Sequence, residues 1–68
     1  MNISTELALV LNLRNVAVDH KEYCGHNCNV SLGQLKQAAI LIRDKMVAMN
    51  LHHEVKEANR YISEMPIS

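Results

Sequence analysis

The sequence predicts an all-α fold, a small three-helix up-down bundle with an irregular Cys/His loop between helices 1 and 2. Two observations lead there. Apolar residues recur at intervals of three and four in three successive segments. No hairpin signal separates those segments, and the short connections between them set consecutive helices antiparallel. The expected helices lie near 4–19, 31–50 and 53–64, within one domain covering residues 1–68.

Helix 1 has Ser4 as its cap, with Ile3 before it placed to staple onto Ala8. Thr5, Ala8, Asn12, Asn15 and Asp19 form a narrow polar strip, while Leu7, Leu9, Val10, Leu11, Leu13, Val16, Ala17 and Val18 cover most of the rest. A helix so apolar is expected to be buried on two sides, the second by another molecule. Leu7, Leu9, Leu11 and Leu13 also alternate as a strand would. Val16 and Val18 then fall in the opposite phase, which a strand accommodates only with a bulge, so helix is the expectation.

Helix 2 is the clearest element. Ser31 and Gln34 have capping-box spacing, with Val30 placed to staple onto Leu35. Leu32, Leu35, Ala39, Ile42, Met46 and Met49 follow the 3-4 spacing of one helix face, widened by Ala38. Lys36, Gln37, Arg43 and Asp44 take the opposite face. Ile40 and Val47 sit among those polar residues, next to Gly33. They are either scattered exposed aliphatics or a second contact surface, flanked by Lys36 and Arg43, for a partner or for another copy of the chain. Asn50 marks the break. Helix 3 then buries Val55, Ala58, Ile62 and Met65, with Tyr61 beside them, and turns Glu54, Lys56, Glu57, Arg60 and Glu64 outward.

Size and composition bound the function. At 68 residues the chain is near the lower limit for folding alone. It has no Phe or Trp and two Tyr, so its core is aliphatic and limited, and a staple or a second subunit is expected. Seven Lys and Arg balance seven Asp and Glu, which argues against a strong electrostatic grip on nucleic acid. No apolar run has membrane-spanning length and no secretion signal is evident, so cytoplasmic residence is expected.

The chemical signal is the cluster His20, Cys24, His26 and Cys28. Two thiolates and two imidazoles match tetrahedral zinc in kind and number, and C-x3-C falls within the range of zinc loops. Two free thiols in a polar loop, or a Cys24–Cys28 disulfide, remain alternatives. His52 and His53 do not complete a finger, because helix 2 sets them about 30 Å from Cys28. Catalysis by a Cys/His pair lacks an orienting third group, so no enzymatic activity is expected.

Three functions follow. The first is a small helical protein-interaction or regulatory module, binding a larger protein or forming a homodimer. The others are a zinc-stabilised adaptor and a DNA-binding regulator, since SLGQLKQAA resembles, over nine residues, the small-residue helices of helix-turn-helix regulators. In size and style the chain is similar to the accessory proteins with which phages inhibit or redirect host machinery.

Overall fold

A computed structural model of the chain describes residues 3–24 and 29–66. Three helices account for most of them: α1, Thr5–Cys24; α2, Asn29–Ala48; and α3, His52–Glu64. Among the described residues there is no strand, so the alternating leucines of the first segment belong to a helix.

The start of α1 follows from its cap. The Leu7 N–H donates to the Ser4 hydroxyl at 3.1 Å, and the Ala8 N–H to the Ser4 carbonyl at 3.1 Å. A capping box would satisfy the Ser4 N–H with an acidic side chain at Leu7. Here a residue fifty positions away does so: the Ser4 N–H donates to a Glu54 carboxylate oxygen at 2.8 Å. Glu54, expected on the outer face of the third helix, instead ties the first turn of α3 to the first turn of α1. Ile3 and Ala8, expected to staple across this cap, both remain exposed.

Two boundaries depart from the sequence reading. α1 runs five residues beyond Asp19 and takes in His20 to Cys24, which the sequence assigns to the irregular loop; residues 25–28 of that expected loop lie outside the described residues. None of His20, Lys21, Glu22 and Tyr23 is a helix breaker, so packing against α2 is enough to carry the helix on. α2 in turn begins at Asn29, which places Ser31 inside its first turn rather than at its cap. Val30, expected to staple onto Leu35, is exposed.

The end of α2 is a Schellman turn built on Asn50. That residue has φ 62°, the left-handed conformation that Asn tolerates better than most non-glycine residues. The Leu51 N–H donates to the Met46 carbonyl at 3.1 Å and the Asn50 N–H to the Val47 carbonyl at 3.0 Å. Leu51 then packs against the core cluster that contains Met46. α3 ends where Met65 becomes extended (φ −67°, ψ 131°), the conformation that the following Pro66 favours.

The topology can be read from its ties. Ser4 meets Glu54, and Arg14 meets Glu64 at 3.8 Å, the same offset along both helices, so α1 and α3 run parallel in register. Glu6 meets Lys45 at 3.7 Å, near the start of α1 and the end of α2, so those helices are antiparallel. The core between them is Leu7, Val10 and Ala17 from α1, Leu32, Ala39 and Met46 from α2, and Ala58 and Ile62 of α3 with Met65 just beyond it. Among the described residues no polar residue is buried with them. Each helix supplies one fully buried alanine (Ala17, Ala39 and Ala58), which allows the backbones a close approach. Because α3 is the shortest helix and starts level with α1, it ends near Arg14. The later turns of α1 and the first turns of α2 project past it, and the molecule measures 37 × 22 × 15 Å.

Candidate interaction surface

Among the described residues no pocket forms that would enclose a small molecule. The Ile40–Val47 pair expected on α2 is split by the fold. Arg43, one turn from each, donates from Nη1 to Asn59 of α3 at 3.1 Å and from Nη2 to Asp44 at 2.9 Å. This side of α2 therefore faces α3, and Ile40 packs half-buried against the chain's own core. Val47 stays 47% exposed. Lys36 is half-buried, and Met49, expected on the core face, is exposed. Periodicity measured within α2 cannot distinguish a face that meets solvent from one that meets a third helix.

The outer face of α1 is different. The polar strip Thr5, Ala8, Asn12, Asn15 and Asp19 is exposed throughout, as its pattern predicts. Beside it lie Leu9, 45% exposed, and Val16, 42% exposed, seven residues apart, with Tyr23 exposed seven further on. The Glu6–Lys45 ion pair shows how this edge meets α2. One turn along from that pair, in the same direction on both antiparallel helices, come Leu9 and Leu41. Leu41 is 67% exposed, so the apolar patch continues from α1 onto the shoulder of α2. The exposed side chains of α1 between Thr5 and Val16 include no charge. The two charged residues in that span turn aside, Glu6 to Lys45 and Arg14 to Glu64.

Arg14 shows why its guanidinium is not offered to a partner. It lies 5.6 Å from the Tyr61 ring centroid, with Arg60 at 5.2 Å from the same ring and bound to Glu57 at 2.7 Å. The stacking closes the α1–α3 seam, although the Arg14 Nε is buried without a hydrogen-bond partner among the described residues. Arg43 and Lys45, two of the three basic residues near the SLGQLKQAA segment, are likewise engaged within the chain.

The Cys/His cluster is placed in part. His20 and Cys24 share a side of α1 one turn apart, and this side continues the line of Leu13 and Ala17. His20 Nε2 is buried with no hydrogen-bond partner among the described residues. His26 and Cys28 lie outside the described residues, as does the side chain of Cys24. Among the described residues no three His, Cys, Asp or Glu side chains gather as a metal site. His52 and His53 are exposed at the start of α3.

Known proteins offer no shortcut to a function: no family model, curated protein or solved structure matches this chain. No helix is long and apolar enough to cross a membrane among the described residues. The surface that sequence reasoning missed is the Leu9–Leu41 continuity. The seven-residue spacing of Leu9, Val16 and Tyr23 is visible in the sequence, but the flanking Leu41 depends on how α1 and α2 are aligned.

Proposed function

We propose that this protein is a small helical interaction module, regulating another protein or its own assembly by docking through the outer face of α1. A single observation carries the reading. Leu9, Val16 and Leu41 stay exposed beside a buried core that numbers nine residues among the described ones. Leaving them in water forgoes about 25 cal/mol for every square ångström that a partner would cover. A phage-type accessory or inhibitor protein acting in the cytoplasm fits this description. The neutral charge balance and the internal pairing of Arg43 and Lys45 weigh against the DNA-binding alternative.

The test is photo-crosslinking in living cells with a crosslinking amino acid in place of Leu9, Val16 or Leu41, and at Lys56 and Ser63 on α3 as controls. Adducts from the first three positions and not from the controls are expected. Equal yields from both sets, or none from either, would overturn the reading.

A second reading has one observation in its favour, the buried Nε2 of His20, which has no hydrogen-bond partner among the described residues and lies one turn from Cys24. We propose zinc as the cofactor, held by His20, Cys24, His26 and Cys28, and stabilising the end of the α1–α2 hairpin. Native mass spectrometry of protein purified with zinc tests it. One bound zinc, released by Cys28→Ser and retained by His52→Ala, is expected; a metal-free spectrum rejects it.

A further inference from the structure

We infer that the partner seated on the α1 face is a second copy of this chain, with the two α1 helices parallel about a two-fold axis. This rests on the proposed docking role of that face. The argument begins with charge. A typical protein surface carries charges at many positions, and docking it onto the uncharged strip from Thr5 to Val16 would desolvate them without compensation. The same strip on a second copy brings no charge over that span, and an isologous contact needs only one patch.

The spacing then chooses the direction. Leu9, Val16 and Tyr23 alternate with Thr5, Asn12 and Asp19 in a heptad seam, all six exposed. An antiparallel pairing would set each apolar residue against a polar one. A parallel pairing sets Leu9 on Leu9 and Val16 on Val16. It also sets Asn12 on Asn12, whose amide both donates and accepts, so one side chain satisfies its copy. Leu41 flanks the seam beside Leu9. Asp19 is the one charged residue in the seam, and it meets its own copy there, which opposes association. The contact is also modest. A helix of 20 residues is about 30 Å long, and a strip one helix wide covers less than the roughly 800 Å² per partner of a standard interface. A micromolar equilibrium follows rather than a nanomolar one.

Sedimentation equilibrium across the micromolar range, combined with methyl cross-peaks between labelled and unlabelled copies, tests the inference on the unmodified chain. A monomer–dimer equilibrium with Leu9–Leu9 and Val16–Val16 cross-peaks is expected. Asp19→Asn should raise the association constant several-fold, and Leu9→Glu should lower it at least about tenfold. Val16→Ser gives a milder probe should the Leu9→Glu chain fail to fold. A monomer at every concentration overturns the inference, as does a dimer whose cross-peaks pair Leu9 with Asn12 or join Ile40 and Val47. In-cell adducts from Leu9 and Val16 to another protein, with no dimer, would leave the docking role standing and remove only the second copy.

Discussion

Three residues hold backbone positions that their chemistry either suits or merely tolerates. Asn50 is in the left-handed region at φ 62°. Glycine reaches that conformation without a steric penalty, so Asn50→Gly is expected to leave stability unchanged or to raise it by a few tenths of a kcal/mol. Asn50→Val should lower it by about 1 kcal/mol or more, because a β-branched side chain clashes there. Thermal unfolding of the two variants checks the order. Gly33 is the reverse case: it lies within α2, exposed, and a Cβ built on it meets nothing within 4 Å. Gly33→Ala should therefore stabilise the fold by about 0.5–1 kcal/mol, read from the denaturant midpoint. Ser4 carries two roles, its hydroxyl capping α1 and its N–H holding Glu54. Ser4→Ala should cost about 1 kcal/mol through the lost cap. Glu54→Ala should add a separate loss, because it removes the acceptor of the Ser4 N–H rather than of the Leu7 N–H.

At the scale of the elements, the extension of α1 through Cys24 is the main departure from sequence expectation. The glycine and asparagines of the Cys/His cluster begin only at Gly25, so the preceding turn has no local reason to unwind. A proline test separates the two boundaries. With α1 ending near Asp19, Lys21→Pro would be almost neutral. Within a helix reaching Cys24 it removes a backbone bond and clashes with the preceding turn, costing about 3 kcal/mol. The melting temperature should fall by more than about 10 °C in a chain of this size. α2 supplies a matching contrast. Ile40→Glu places a charge against the core and should destabilise the monomer clearly, by about 2 kcal/mol, whereas Val47→Glu should change stability by no more than about 0.5 kcal/mol. Similar losses from both would return them to a single surface.

For the whole molecule, the governing facts are a small aliphatic core and three closely packed backbones. Ala39 and Ala58 have no exposed surface, and among the described residues no polar residue is buried beside them. Enlarging either should force the helices apart: Ala39→Leu and Ala58→Leu are each expected to cost about 1–3 kcal/mol in equilibrium unfolding, despite the added apolar surface. Stabilisation by either substitution would mean that the helices meet less closely than described. The parallel register of α1 and α3 has another consequence. It leaves the far ends of α1 and α2 without a third helix over them, and Tyr23 and Val30, both exposed, lie on that projecting part.

What local physics dictates was legible in the sequence. The Ser4 cap, the Asn50 break, the Val55–Ala58–Ile62–Met65 stripe and the exposed polar strip of α1 depend on residues within a few positions of one another. Their periods and turn preferences survive folding. Surplus apolar surface on α1 was legible too, because Leu9 and Val16 stand beside that strip. Relations between elements were not. That Glu54 bonds Ser4, that Ile40 meets the core, that Met49 does not, and that Leu41 stands beside Leu9 all follow from the register of the three helices. Register is set by how side chains from distant segments interlock, and a helix seen alone shows which faces are apolar but not which of them its neighbours will cover.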